Sequence, residues 1–288
     1  MNRLRLLGQK HVRVQFSTAA ALLAPLLLVL LAMLFIPLVV LAAMGLRGAD
    51  GALTLDNYLA VLVNPRYRNG LLTSIGLASA VTTATLVAST TLAYTVVRDQ
   101  PPATALIRAL LTFPLSFPGI VVGFMTIILF GRTGALPALT QQLVGVPLLQ
   151  IAYTLPGLFV AYLYFEIPRI TLALAEAIEQ VDARYEAAAR TLGARPVQVF
   201  VLVLLPLLRS ALISSSALAF ATSMGAFGTA YTLAQRITIL PIQIYDAYTV
   251  SFEFELASAM AVVLGLITMV ALGVYRAAVG SAYQQQEQ

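Results

Sequence analysis

The chain has 288 residues, of which 60% are hydrophobic and 10% charged, and its mean hydropathy is +0.90. Soluble domains carry about 25% charged residues, so this composition excludes an ordinary soluble protein and indicates an integral membrane protein. The chain has no cysteine, which excludes disulfides, thiolate metal sites and cysteine nucleophiles. We assign its net charge of +5 to membrane orientation and expect no nucleic-acid partner.

The apolar runs are long enough for helices that cross a membrane, which requires about 20 residues, and they lack the alternation of barrel strands. We therefore predict an all-α integral membrane protein with six transmembrane helices. A short helix is expected at 55–62, in the polar loop after the first span. The predicted spans lie at about 19–45, 70–97, 104–130, 148–167, 207–232 and 256–275.

These spans divide the chain into a tail (1–18), a six-span domain (19–280) with a polar insertion at about 168–205, and a second tail (281–288). The first apolar run is longer than the core of a signal peptide, about 7–15 residues, so we expect it to be retained. Pro114 and Pro118 are expected to kink the third span, which is tolerated where the freed carbonyls face protein or water.

The distribution of basic residues predicts the orientation, because loops on the cytoplasmic side carry an excess of Lys and Arg. With the N-terminus inside, twelve basic residues lie inside and five outside. Both termini and the insertion are then cytoplasmic. The five outer residues are Arg47, Arg66, Arg68, Arg132 and Arg236.

The insertion has the pattern of an amphipathic surface helix followed by a second short helix. Asp182 is a candidate N-cap of the second helix, and Glu186 and Arg190 lie at the ends of that helix that favour their charges. Gly193 is expected to end it in the left-handed conformation. A helix lying on the lipid surface is the alternative interpretation.

The spacing after this glycine resembles the Glu-Ala-Ala coupling loop of permease subunits in type I binding-protein-dependent ABC importers. That family has an aliphatic residue ten positions after the glycine and Leu-Pro at twelve and thirteen, positions occupied here by Val203, Leu205 and Pro206. The acid lies one place early. The resemblance implies an ATPase-coupling segment formed by Glu186, Ala187, Ala188, Ala189, Gly193, Val203, Leu205 and Pro206.

The resemblance is nearest to the polyamine-type permeases, through Gly225-Ala226-Phe227-Gly228-Thr229 and the segment 240–245. Permeases for ferric iron, phosphonate, thiamine and sulfate share much of this pattern. The resemblance implies a bacterial inner-membrane subunit that works with two ABC ATPases, a second permease, which is either a copy of this chain or a different one, and a solute-binding protein. ATP and Mg would bind to the ATPase, since this chain lacks a phosphate-binding Gly-rich loop and is not expected to be an enzyme.

We expect no ionisable side chain at membrane depth. This favours energy input from outside over the alternative of an ion-coupled carrier or channel. The glycine segment of the fifth span fits either a substrate gate or a helix–helix contact. The candidate pathway residues are Ser116, Pro118, Tyr153, Thr222, Ser223, Gly225, Phe227, Gly228, Thr229 and Tyr231.

Overall fold

Helices make up most of the part of the chain that the computed structural model describes, which is residues 3–48, 50–234 and 237–284. A π-helical turn, Thr95–Asp99, extends the third helix, and a 3-10 turn, Phe113–Ser116, extends the fourth. The helices in chain order are α1 (Arg3–Gly45), α2 (Asp56–Val63), α3 (Pro65–Tyr94), α4 (Thr104–Thr112), α5 (Gly119–Phe130), α6 (Ala135–Val144), α7 (Leu155–Gln180), α8 (Arg184–Thr191), α9 (Pro196–Leu207), α10 (Arg209–Met224), α11 (Phe227–Leu233), α12 (Leu240–Thr249) and α13 (Phe254–Gln284).

Five segments of the described chain are long and apolar enough to cross a membrane. The bent pair α9 and α10 makes a sixth if it is counted as one span. The predicted all-α membrane fold is therefore confirmed, and the short helix expected at 55–62 is α2. The five segments are Leu23–Gly45, Pro65–Asp99, Gly119–Val144, Leu155–Gln180 and Phe254–Tyr275.

The third predicted span is wrong as a continuous helix. Phe117 and Pro118 have extended backbone angles, so helix α4 and its 3-10 turn end before them and α5 begins after them. A residue before proline avoids the helical region, which is why the expected kink is a complete break. Helices α5 and α6 together form the span, and α6 occupies part of the loop predicted after residue 130.

The fourth span is shifted along the chain. Helix α7 begins at Leu155, where the Thr154 hydroxyl accepts a hydrogen bond from the backbone N–H of Gly157 at 3.4 Å, and it continues to Gln180. The predicted insertion, 168–205, thus starts inside this helix. Two ionisable residues of this helix, Glu166 and Arg169, have partners within the bundle, which are described below.

The fifth predicted span contains two breaks. Helix α9 meets α10 at a bend of 75° around Leu208. Helix α10 ends at Met224, and α11 begins at Phe227. The loop predicted after this span contains helix α12. The C-terminal tail predicted at 281–288 is helical as far as Gln284, and 285–288 lie outside the described residues.

The packing centres on α3, which lies against α7 and α10, whereas α11 packs on α5 and α1 on α13. Small polar residues support these contacts. The buried Ser89 of α3 donates a hydrogen bond to the carbonyl of Ile167 in α7 at 3.1 Å. Apolar side chains of α3, α7, α9 and α10 form one buried cluster beside α8, which includes Val97, Leu174, Ile178 and Leu204.

Candidate functional site

The short helix α8 is fixed to the end of α3 by a buried ion pair. Glu186 Oε1 accepts a hydrogen bond from Arg98 Nε at 2.7 Å, and the Glu186 side chain is only 3% exposed. Arg98 Nη2 also donates to the carbonyl of Val181 at 2.7 Å. Tyr94 donates to Glu186 Oε2 at 3.4 Å, and Arg190 lies 3.5 Å from that oxygen. The Arg98–Glu186 pair therefore joins the end of α3 to α8 and, through Arg98, to the linker before α8.

The end of α8 has the predicted glycine stop. Gly193 has φ +86°, in the left-handed region, and its N–H donates to the carbonyl of Arg190 at 3.0 Å. Ala194 donates to the carbonyl of Ala189 at 3.1 Å. These two bonds form a Schellman motif. At the other end, the prediction that Asp182 is the N-cap is wrong by one residue, because the N-cap is Ala183. Asp182 Oδ1 still accepts from the N–H of Arg184, the first residue of the helix, at 2.9 Å.

The side of α8 that points away from the bundle carries exposed apolar residues beside Arg184, whose side chain is 93% exposed. Leu192 is 88% exposed and Tyr185 58%. Ala187 and Ala188 are exposed and Ala189 is half-buried, so the alanines form a smooth surface between the two larger side chains. This apolar strip has small residues at its centre, which permits close approach of another backbone.

The remaining motif residues lie in α9, next to its bend with α10. Val203 and Leu205 are half-buried and Pro206 is exposed, whereas their neighbours Leu204 and Leu208 are fully buried in the cluster with α3 and α7. Proline has no N–H to donate to the helix ladder. It follows a π-helical stretch, Val199–Leu204, and precedes the 75° bend.

A cavity of about 510 Å³ lies between the two broken spans. The break at 117–118 faces the break at 225–226 across it, and α7 closes one side. Non-helical backbone at membrane depth is tolerated only where protein buries it or water lines it. The lining residues are Pro114, Leu115, Phe117, Gly119, Phe165, Arg169, Ala221, Thr222, Gly225, Ala226, Phe227, Gly228 and Thr229.

The predicted pathway residues divide into two groups. Thr222, Gly225, Phe227, Gly228 and Thr229 line the cavity, and Ser116 and Pro118 lie in the break beside it. The other three lie elsewhere: Tyr153 packs on the core cluster of α3, α5, α7 and α11, Ser223 is buried within α10, and Tyr231 packs against the ring of Tyr245, with the centroids 5.1 Å apart.

The fifth-span glycine segment also forms a helix–helix contact. Thr229 donates a hydrogen bond to the carbonyl of Gly119 at 2.9 Å. A side chain at Gly123 would collide with Thr232 of α11. Tyr162 of α7 donates to the carbonyl of Ala226, in the break, at 2.7 Å. The same segment therefore packs on α5 and lines the cavity.

The expectation of no ionisable residue at membrane depth is wrong. Glu166 lies in α7, about 17 Å from the start of that helix at 1.5 Å per residue, and it is completely buried. Its Oε1 accepts a hydrogen bond from Thr222 and lies 3.6 Å from Arg169 Nη1. The Glu-x-x-Arg spacing, which places both residues on one helix face, was the available signal. Arg108 and Arg209 also fall within the predicted span ranges.

Broken spans around a shared cavity are typical of proteins that carry a solute across a membrane, so the fold defines the class as a membrane permease. Residues 92–280 match the family described as binding-protein-dependent transport system inner membrane component. The chain belongs to this family and is an ABC importer permease. This membership replaces the alternative of an ion-coupled carrier or channel.

Curated relatives cover most of the chain. It is 30% identical to the molybdenum transport system permease protein ModB of Mycobacterium bovis, over 82% of this chain and 89% of that one. It is 30% identical to the sulfate transport system permease protein CysW of Synechocystis, over 80% of this chain and 76% of that one. A putative 2-aminoethylphosphonate permease protein, PhnU, of Salmonella typhimurium is 25% identical, over 88% and 89%.

Solved structures share the fold at low sequence identity. A chain of a bacterial ABC transporter that imports the acidic polysaccharide alginate superposes with a TM-score of 0.76 at 13% identity, over 95% of this chain and 98% of that one. A chain of the MetNI methionine ABC transporter gives a TM-score of 0.59 at 16% identity, over 75% and 95%.

Proposed function

We propose that α8 is the coupling helix on which a partner ATPase acts, and that the chain carries a small oxyanion through the cavity between its broken spans. The buried Glu186–Arg98 pair carries the first part of this proposal. A helix that only rested on lipid would place its charges in the lipid headgroups. Here the Glu186 carboxylate is turned inward onto the end of α3, whereas Tyr185 and Leu192 are exposed.

The Arg98–Glu186 ion pair, which we call the α8 clamp, fixes α8 to the bundle. A force on α8 can therefore be transmitted to the bundle. Displacement of α8 would pull on α3 through Arg98, and on α10 through α9. Ala187, Ala188 and Ala189 would meet the ATPase, with Tyr185 and Leu192 on either side of them. Glu186 then has an internal role, which is to hold the coupling helix on its own subunit.

The partners follow from this assignment. Two ATPase subunits would hydrolyse Mg-bound ATP, a second permease subunit would complete the passage, and a solute-binding protein would deliver the cargo. By the distribution of basic residues, both termini and α8 face the cytoplasm of a bacterial cell and the chain lies in the inner membrane. The alginate and MetNI structures are of whole transporters, which supports these partner classes.

The cargo proposal rests on the relatives and on the charge at the cavity. The relatives named above transport molybdenum, sulfate and, putatively, a phosphonate, and sulfate and phosphonate are oxyanions. Arg169 lines the cavity, whereas Glu166 is buried behind it with Thr222 and Arg169 as partners. A polyamine would need an accessible acid, so we favour an oxyanion over the polyamine that the 240–245 segment suggested, and equally over ferric iron and thiamine.

Reconstitution with the cognate ATPase and binding protein tests the coupling. Gly193→Asp should abolish ATP-driven uptake while membrane insertion is retained, because an aspartate at φ +86° strains the corner. Gly145→Asp is the matched control, since Gly145 is also a left-handed helix stop, at φ +79°, with open space around it. Normal uptake by the Gly193 variant would contradict the assignment of α8. Uptake driven by an ion gradient without ATP would contradict the ABC mechanism itself.

A further inference from the structure

Helix α7 presents one cation to the cavity and keeps the neighbouring acid away from it. The Arg169 side chain is 38% exposed and lines the cavity, whereas the Glu166 side chain is 0% exposed. The guanidinium carbon also lies 5.8 Å from the centre of the Phe165 ring, another part of the cavity wall. A solute in the cavity can therefore reach the Arg169 guanidinium but not the Glu166 carboxylate.

The ion pair between them is longer than the Arg98–Glu186 pair that holds α8. Arg169 Nη1 lies 3.6 Å from Glu166 Oε1, beyond hydrogen-bond distance. In the α8 clamp, by contrast, Arg98 Nε lies 2.7 Å from Glu186. The Arg190–Glu186 contact, at 3.5 Å, is similarly long, so the distance shows only that Arg169 is not hydrogen-bonded to Glu166 and that its donors are not taken up by that carboxylate.

Thr222, which also lines the cavity, holds the same carboxylate. Its hydroxyl donates to the same Glu166 oxygen from α10, so Glu166 is fixed between α7 and α10. The other oxygen, Oε2, is buried without a hydrogen-bond partner among the described residues. Glu166 thus stays in place while Arg169 retains most of its five N–H donors, which form a planar fork that suits an oxyanion.

From this arrangement we infer that Arg169 is an anion-binding subsite in the passage and that Glu166 is a fixed internal competitor for it. This inference rests on the proposed oxyanion cargo. With the passage empty, Glu166 neutralises Arg169 and limits the cost of an unpaired charge in the membrane. An entering oxyanion takes the guanidinium donors and leaves Glu166 with Thr222. Because the competitor remains in place, binding stays weak enough for release.

The test is binding of radiolabelled sulfate or molybdate to the permease–ATPase complex in nanodiscs, together with ATP-driven uptake by the full complex. Arg169→Gln should weaken anion binding about tenfold or more, and Arg169→Lys by less, since it keeps the charge but loses the fork. Glu166→Gln should instead strengthen binding several-fold, because it removes the competing charge and keeps a partner for Thr222. Arg108→Gln, in an exposed pair with Glu179, is the control and should bind as the parent does.

Arg169→Gln and Glu166→Gln are expected to change anion binding in opposite directions, and this distinguishes the proposed role from a structural one. Loss of one partner of a structural pair would impair both single variants alike, and Glu166→Gln/Arg169→Gln would then recover anion binding along with folding. That recovery, or sulfate binding by Arg169→Gln equal to that of the parent, would overturn the inference. If the parent complex neither binds nor transports any oxyanion, the cargo proposal itself fails, whatever the variants do.

Discussion

Removal of Arg98 should release α8 from the bundle. The Arg98→Ala change deletes two hydrogen bonds of 2.7 Å, one to Glu186 and one to the Val181 carbonyl, and leaves a carboxylate that is 3% exposed. Breaking a buried ion pair by removing one partner costs about 3–5 kcal/mol. The cost should fall on the docking of α8, because the lost bonds reach α8 and the linker before it. Among the described residues, only the longer hydrogen bonds of Tyr94 to Glu186, at 3.4 Å, and of Arg190 to Tyr94, at 3.3 Å, then remain between α3 and α8.

Hydrogen exchange of the α8 amides measures this cost directly. A loss of about 3 kcal/mol in the local opening free energy corresponds to exchange about 100-fold faster. Arg108→Ala is the matched control, because its pair with Glu179 has the same 2.7 Å distance but side chains that are 43% and 49% exposed. Exposed pairs contribute about 0–1 kcal/mol, so the control should change exchange by at most about fivefold.

A double variant completes a double-mutant cycle for the Arg98–Glu186 pair. Arg98→Ala/Glu186→Ala removes both charges, and its α8 exchange should lie closer to the parent than that of Arg98→Ala. Unchanged α8 protection in Arg98→Ala would refute the clamp, and equal effects of Arg98→Ala and Arg108→Ala would show that the change in α8 exchange is not specific to the clamp. In the reconstituted complex, the clamp predicts that ATP hydrolysis by Arg98→Ala continues while uptake falls.

Two further predictions concern the broken fifth span. Gly123→Ala should destabilise the contact of α5 with α11, because its methyl group would collide with Thr232. The control is Gly265→Ala, at a helical glycine with open space around it, which should leave thermal stability unchanged. Equal thermal stability of the two purified variants would contradict the prediction. Tyr162→Phe removes the 2.7 Å hydrogen bond to the carbonyl of Ala226 and should cost about 1–3 kcal/mol. Thermal unfolding checks it, and an unchanged midpoint would mean that another donor serves that carbonyl.

The sequence was sufficient where the pattern is local. The apolar runs predicted a helical membrane protein, and Gly193 marked the end of α8 because only glycine adopts φ +86° without strain. The sequence predicted a kink at Pro118, but it did not predict that α4 and α5 are separate helices. The extent of that break depends on α11, which fills the space beside α5 and is distant in sequence.

Tertiary partners explain the other errors. The sequence predicts a fourth span that ends at about 167 with no ionisable residue inside it, whereas α7 continues to Gln180 and contains Glu166, whose partners are Thr222 and Arg169. The position of Glu186, one place early in the motif, left its role open. The structure gives it a buried partner on α3, eighty-eight positions away in the chain, and no spacing rule within the motif could supply that partner.

The bend at Leu208 makes α10 the long arm of a lever. Its 16 residues form a rod about 24 Å long, so each degree of rotation at the bend moves the far end, at Gly225, by about 0.4 Å. A tilt of 10° would shift that end by about 4 Å, which is comparable to the width of the gap a small anion needs. Since α9 meets α10 at 75°, the coupling proposed for α8 implies that rocking of α9 about this bend would move the cavity end of α10 sideways. A change of a few degrees at the bend would then change the cavity width by ångströms.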